Sequence, residues 1–411
     1  MAPVMGDTAM DWTDEQAWAG TRRPVAQATS LFAEAYADQA FFDLEQQRVF
    51  GTSWVAVGLL DELVPGRLLV RQVGRTSVLL TRNADGEPRG FLNSCRHRGT
   101  ELAEHDCDIA GTIRCPYHRW GYNLDGTLVA TPRFDEAGVD DFDKADYPLH
   151  QVRVASFGCV VFVCLDPTTA PLDEWLGDLG DRLAGYGLDR WRSVETQTIT
   201  IKANWKLIAE NYQEYYHLTW VHPELAKVSR VDDHYRFQGR GMYCGQTTTP
   251  VSGDDRDDWT ALPPAAELNE SDEASGRFIS IFPNLLLSVL PNHTFVMVLH
   301  PVAPGVTIET CTWLLPDSTP EVPDEAFAQT RTFWLDVNGE DIDIVERGQR
   351  GLASGGFTPG RLSPRFEEPV HRFHNMVADR FVGLDRIPDG DDSDADPMYG
   401  TGANPLPYSP A

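Results

Sequence analysis

Basic residues are scarce in this chain. Among 411 residues, 34 Lys and Arg stand against 62 Asp and Glu, a formal net charge of -28. Such a surface repels nucleic-acid phosphates and anionic lipid headgroups, which excludes both as partners. The same field would attract a cationic substrate, and it equally serves solubility. Part of the charge lies in "DRIPDGDDSDADPMYGTGANPLPYSPA", which reads as a flexible acidic tail over 386–411. Long hydrophobic runs are also missing: "ISIFPNLLLSVL" is too short and too interrupted to span a bilayer. The opening "MAPVMGDTAMDWTDEQAW" has early acids and no basic-then-apolar run, so no secretory leader is expected. The 7 cysteines are odd in number and scattered, unlike a disulfide framework, and point to a reducing cytoplasm.

What is present divides the chain. Its length suffices for two domains with real cores. "DQAFFDLEQQRVFGTSW" has Phe42, Leu44, Val49 and Phe50 at helical spacing. Short alternating runs follow, "RLLVRQVGRTSVLLTRN" and "GCVVFVCLD", with the turn signals "NADGEP" and "NLDGTL" around them. They predict a small antiparallel β domain. "LDEWLGDLGDRLAGY" and "ANWKLIAENYQEYYH" are helical in period. Three strands are then expected, "SIFPNLLLSVL", "HTFVMVLHPVA" and "TIETCTWLLP", before a helix over "DEAFAQTRTFWLDVNGEDIDIVERGQRGL". There is no internal repeat. Strands grouped with helices to one side predict an α+β fold.

Two constellations carry chemistry. The first is Cys95-x-His97, seventeen intervening residues, then Cys115-x-x-His118. Two thiolates and two imidazoles can complete a tetrahedral zinc site, or hold a [2Fe–2S] cluster with both cysteines on one iron and both histidines on the other. Each short loop here supplies one ligand of each kind, so each touches both irons. Zinc-finger spacing pairs cysteine with cysteine along the chain, which this does not do. Pro116, Gly99, Gly111 and Gly121 suit tight loops around sulfur. Cys107 and His105 fit neither half of the pattern; the first is expected to be a buried or half-buried thiol, the second a surface residue.

The second constellation is "ENYQEYYHLTWVH", with Glu214, His217 and His222. Two histidines and a carboxylate can hold a divalent metal with open positions. A one-electron carrier upstream makes Fe(II) with O₂ the natural occupant, since a zinc hydrolase has no use for an electron supply.

The paired constellations give the chain a family. It resembles the oxygenase (alpha) subunit of Rieske non-haem iron oxygenases, from about residue 30 to about 385, with "NWKLIAENYQEYYHLTWVHPEL" similar to that family's catalytic signature. The resemblance implies an N-terminal antiparallel β Rieske [2Fe–2S] domain and a helix-grip (Bet v1-like, START-like) catalytic domain. The implied boundaries are an N-terminal helical segment at 1–45, the Rieske domain at 46–165, the mononuclear iron domain at 166–385 and the tail at 386–411. It also implies His217 and His222 as iron ligands, with the third ligand an aspartate of a distant helix. "NGEDIDIVERGQ" matches that segment and points to Asp341. A local triad of Glu214, His217 and His222 is chemically open as well. In the family the acid before the first histidine instead bridges two subunits, so Glu214 would link His118 of one chain to His217 of the next in a homotrimer.

Here the bridging acid is glutamate, where aspartate is usual, and the stretch from Asn211 to it is a residue shorter than in many ring dioxygenases. Both features resemble the branch that oxidises quaternary ammonium compounds such as carnitine and glycine betaine. The expected function is hydroxylation of a C–H bond using O₂, ending in N-demethylation or C–N cleavage of a betaine. The alternatives are a ring-hydroxylating oxygenase acting on an aromatic or alicyclic acid, and a Rieske electron carrier without oxygenase activity. Glu214 and Asn211 are the expected catalytic residues, and Tyr212, Tyr216, Trp220, Phe282 and Phe295 the pocket candidates, because aromatic faces hold methylated cations. Each is equally at home in an ordinary core. No GxGxxG unit or plant-type ferredoxin cysteine run is present, so electrons are expected from a separate NAD(P)H-dependent flavin/iron–sulfur reductase, directly or through a ferredoxin.

Overall fold

The computed structural model describes residues 10–138, 140–248, 262–265, 268–319 and 324–390. The acidic tail expected at 386–411 lies outside the described residues beyond 390.

The first half is β-rich. It runs through β1 (Val55–Leu59), β2 (Arg67–Val73), β3 (Thr76–Arg82), β4 (Pro88–Leu92) and the two-residue β5 (Cys107–Asp108). Three short strands, β6 (Ile113–Arg114), β7 (Gly121–Tyr122) and β8 (Leu128–Ala130), make a sheet of their own. Then β9 (Gln151–Phe157) and β10 (Val160–Cys164) complete a seven-stranded sheet in the order β1-β10-β9-β4-β3-β2-β5. The apolar run "VVFVC" of β10 is buried throughout, as a strand covered on both faces requires. At the "NADGEP" turn the Asn83 side chain accepts from the N–H of Asp85 and Glu87, and Gly86 takes φ +81°.

The second half is one antiparallel sheet of seven strands. These are β11 (Trp191–Ile201), β12 (His234–Arg236), β13 (Tyr243–Thr248), β14 (Gly276–Ile281), β15 (Leu285–Val289), β16 (Thr294–Ala303) and β17 (Val306–Pro316), ordered β11-β17-β16-β15-β14-β13-β12. The stretch "SIFPNLLLSVL" is not one strand. It folds as the β14–β15 hairpin, turning at Phe282–Asn284, because a continuous apolar run hides a turn when both strands are buried. "LDEWLGDLGDRLAGY" also breaks, into Leu172–Leu176 and Leu179–Arg182. Gly177 between them takes φ +58°, and a Cβ there would meet the Arg240 carbonyl oxygen at 2.0 Å.

Helices close over the second sheet. Asp38 caps Gln39–Arg48 and Asn204 caps Trp205–Gln213, each accepting from the first-turn amides. The long helix spans Asp324–Leu352, and a C-terminal helix, Glu368–Val382, had no counterpart in the sequence reading. The main core runs without a break from Trp18 through both seven-stranded sheets to Phe381; a smaller one surrounds Cys95, Cys115, Trp120 and Tyr122. The N-terminal segment packs on the C-terminal helix through Phe41 stacked on Phe381 at 4.4 Å and Arg22 paired with Asp379 at 2.7 Å. Lys206, at the start of the catalytic signature, is wholly buried and meets Glu45 at 2.5 Å, while the Trp205 indole donates to the other Glu45 oxygen at 2.8 Å. Burial moves both charged partners toward their neutral forms, and their contact opposes this. Among the described residues no helix is long and apolar enough to cross a membrane.

Candidate metal centres and substrate cavity

The two short loops of the first constellation have the same backbone design. The Cys95 carbonyl accepts from Gly99 N–H at 2.9 Å and the Cys115 carbonyl from Arg119 N–H at 3.1 Å. Gly99 and Arg119 both adopt left-handed backbone, φ +72° and +61°, so each loop folds tightly behind its cysteine. Gly121 does not have the loop role expected of it; it lies in β7, where a Cβ would crowd Thr112 at 3.1 Å. Cys95 and Cys115 are buried, and the His97 and His118 rings lie 4.7 Å apart. His97 stacks on the buried Trp120 at 4.7 Å, and its buried Nδ1 has no hydrogen-bond partner among the described residues. An unpartnered imidazole nitrogen beside two buried thiols fits a cluster ligand set. The Tyr122 hydroxyl lies 3.3 Å from Cys95 Sγ, where it can hydrogen-bond sulfur. Cys107 is exposed on the edge strand β5, which corrects the expectation of a buried thiol.

The second constellation forms where the signature helix stops. That helix ends at Gln213, and Glu214 is extended at φ -110°, ψ 164°. Its carboxylate turns back to accept from the Tyr216 and His217 N–H groups, and its Oε1 meets His217 Nδ1 at 2.5 Å. A single turn, Leu218–Val221, separates the two histidines. On a continuous helix residues five apart point about 140° from one another. The turn ends at His222, φ -118°, ψ 65°, and the ring swings back.

As a result His217 Nε2 and His222 Nε2 lie 3.2 Å apart, and Asp341 Oδ1 is 2.9 Å from the second and 3.5 Å from the first. These donor atoms all fall within 4.8 Å of one another. Glu214 lies on the opposite nitrogen of His217, behind this group. Glu340 holds His222 Nδ1 at 2.7 Å in the same way, a role the sequence reading did not give it. Each histidine therefore presents Nε2 forward with a carboxylate at its back, the arrangement that fixes the tautomer of a metal ligand. Burial alone would favour neutral imidazoles, but the carboxylates outweigh it and raise both pKa values. Two imidazoles and one carboxylate on one side of a point suit Fe(II) with positions left open. Asn211 Nδ2 is 3.5 Å from His217 Nε2, at the limit of a hydrogen bond.

A cavity opens onto these groups. The long helix lines it with Trp334, Asn338, Asp341, Ile342 and Val345, one face at helical spacing. The sheet contributes Phe278, Leu286, Phe295, Met297 and Glu309. Tyr212 also lines it, its hydroxyl 2.9 Å from Ser288 Oγ. Three of the aromatic candidates are corrected. Trp220 is 81% exposed and Tyr216 is 53% exposed, on the outward side of the chain beside His217. Phe282 is core, packed edge-on to Phe373 at 5.9 Å, because it falls in the β14–β15 turn and not on a strand. In their place stand Phe278 and Trp334, the latter stacked on Phe295 at 4.9 Å with its indole N–H bonded to His293 at 2.6 Å.

Sequence comparisons agree with this architecture. Residues 53–155 match the Rieske [2Fe-2S] domain, and residues 188–383 match the ring hydroxylating alpha subunit catalytic domain. The chain belongs to the Rieske non-haem iron oxygenases, which use a Rieske cluster and a mononuclear iron to incorporate O₂. It is 28% identical over 385 residues to the glycine betaine monooxygenase oxygenase subunit of Pseudomonas aeruginosa, covering 86% of this chain and 89% of that one. It is 27% identical to the carnitine monooxygenase oxygenase subunit of Escherichia coli, covering 86% and 94%. The biphenyl dioxygenase alpha subunit of Paraburkholderia xenovorans is 29% identical, with 85% of each chain covered. In structure the chain is similar to the quaternary ammonium Rieske monooxygenase CntA, with a TM-score of 0.75 at 24% identity over 88% of this chain and 98% of that one.

Proposed function

We propose that this oxygenase hydroxylates an N-methyl group of a quaternary ammonium compound. One observation carries the reading: three carboxylates, Glu214, Glu309 and Asp341, line the cavity, and no Lys or Arg does so among the described residues. An aromatic acid would enter with its own charge unanswered, whereas a methylated cation meets opposite charge and aromatic faces. The relatives that act on glycine betaine and carnitine support the same choice. Hydroxylation inserts one oxygen atom of O₂ into the C–H bond, and two electrons with two protons reduce the other to water. The hydroxymethyl ammonium product then loses formaldehyde and a proton, leaving the tertiary amine.

The proposed iron ligands are His217, His222 and Asp341, and the proposed cluster ligands are Cys95, His97, Cys115 and His118. When bound, the iron supplies O₂ activation. Glu214 and Glu340 hold the two ligand imidazoles in one tautomer, and the apolar wall from Phe278 to Met297 excludes water. Electrons come from a separate NAD(P)H-dependent reductase in the cytoplasm and cross between subunits of a homotrimer, from His118 of one chain through Glu214 to His217 of the next. The exposed His118, with Tyr117 beside it at a ring distance of 3.7 Å, and the exposed Tyr216 and Trp220 near Glu214 support contacts on both sides of that route. The test is turnover of a mixed panel of betaines and aromatic acids with a surrogate reductase. NADH-dependent formaldehyde from a betaine is expected. Ring hydroxylation of an aromatic acid, with no response to any quaternary amine, would overturn the reading.

A further inference from the structure

Glu309 stands apart from the other fully buried acids among the described residues. It lies on β17 with Thr307 and Cys311 on the inward face, and it is 0% exposed. Its strand partners are Ile199 and Leu299, and Met297 and Ile201 line the same cavity floor. A carboxylate in such surroundings is costly unless its oxygens are satisfied. Only one of them is. Oε1 accepts from Asn338 Nδ2 at 2.7 Å and from Cys311 Sγ at 3.1 Å. Glu309 is one of the residues that line the cavity, and its Oε2 is buried with no hydrogen-bond partner among the described residues.

Among the described residues no ion pair answers this charge. The buried acids Glu45 and Glu368 each meet a basic side chain, Lys206 and Arg236. Burial raises the pKa of Glu309 above the ordinary carboxylate value, while the contacts from Asn338 and Cys311 oppose this. A half-satisfied acid in a cavity wall is poor material for folding and good material for binding a cation. Five aromatic side chains line that cavity, Tyr212, Phe278, Phe295, Phe333 and Trp334. Phe295 and Trp334 stack, and Phe278 lies 6.4 Å from Trp334 at 55°. The Trp334 indole is fixed by His293, so the ring is held in place before any substrate arrives. Asn338, which holds Oε1, is one helical turn from Asp341, so a headgroup beside Glu309 sits close to the proposed iron position.

We propose that Glu309 is the residue that recognises the substrate's ammonium headgroup, with Oε2 facing the cation and Phe278, Phe295 and Trp334 completing the contact. This inference rests on the quaternary ammonium reading above and adds the residue that selects charge. The contact is non-covalent: no bond forms to Glu309, which acts as a substrate-binding residue.

The experiment measures binding of choline and glycine betaine to the iron-loaded enzyme by calorimetry. Each is compared with its carbon isostere, in which a quaternary carbon replaces the ammonium nitrogen. The native enzyme is expected to prefer the cation about tenfold or more. Glu309→Gln keeps the shape, removes the charge and should cut that preference severalfold, while Glu309→Asp should retain it. Glu309→Met is a second neutral variant suited to the apolar floor, and the cluster's visible spectrum checks that each variant is folded. A merely structural acid would lower the melting temperature of the substrate-free enzyme when replaced; Glu309→Met should leave it unchanged or raise it. If the native enzyme prefers the cation and both neutral variants keep that preference, this inference falls and the functional reading stands. If the native enzyme binds no quaternary amine, or binds cation and isostere alike, both fall.

Discussion

The two metal-binding regions of this chain are built on opposite plans. In the first, the four proposed ligands sit on two tight loops at the rim of a small core, with His118 exposed to solvent and both cysteines beneath. In the second, His222 is buried, both histidines are braced from behind by Glu214 and Glu340, and the cavity in front is mostly apolar. The contrast follows from what each region must exchange. A centre that passes electrons benefits from an edge close to the surface, since its partner is another protein. A centre that oxidises a C–H bond needs a dry, shaped space in which ligands stay fixed while substrate comes and goes.

The strongest way to break this comparison is to remove one centre without the other. Asp341→Ala should abolish turnover and lose the mononuclear iron, because two imidazoles alone hold Fe(II) weakly, while the Rieske absorption stays intact. Iron per chain measured beside the visible spectrum decides it. A loss of both centres together would mean that the regions are not independent.

Glu45→Gln comes next. It leaves the Lys206 ammonium buried without its partner and should cost about 3–5 kcal/mol of stability, read by urea denaturation. The loss should appear in the catalytic half, since Lys206 and Trp205 begin the signature helix. Glu340→Gln is milder. It should weaken iron binding by roughly tenfold, measured by chelator competition, because His222 keeps its position but loses the carboxylate on Nδ1. Trp220→Ser should do least to the isolated fold, within about 0.5 kcal/mol in thermal melts, and should leave KM unchanged. A large rise in KM would return Trp220 to the pocket.

How much of this was legible in the sequence differs between the same two regions. The cluster loops are short, so the spacing of Cys95, His97, Cys115 and His118 carried almost the whole arrangement. His217 and His222 were legible for the same reason. Asp341 was not readable from spacing, since it joins them from a helix more than a hundred residues later, and only family resemblance pointed there. Glu340 and the proposed role of Glu309 do not show in the sequence, because an acid on a helix or strand looks the same there whether it faces solvent or a binding site. The one available signal for Glu309 was its place in "TIETCTW", on the same strand face as Thr307 and Cys311. Tyr216 and Trp220 were misplaced because adjacency to a ligand says nothing about which way a short turn faces. Phe282 was misplaced because the β14–β15 turn is hidden in an apolar run.

The central claim is that the two regions work as one device joined by Glu214, and Glu214→Gln tests it most directly. A carboxylate can accept hydrogen bonds from two imidazoles at once, whereas an amide offers one acceptor and one donor, so one side of the bridge fails. The measurement is iron content and visible spectrum together with the turnover rate of the glutamine variant. The account predicts both metal centres retained and turnover lowered by about 100-fold or more. Loss of the mononuclear iron from this variant, with that iron kept in Asp341→Ala, would contradict it.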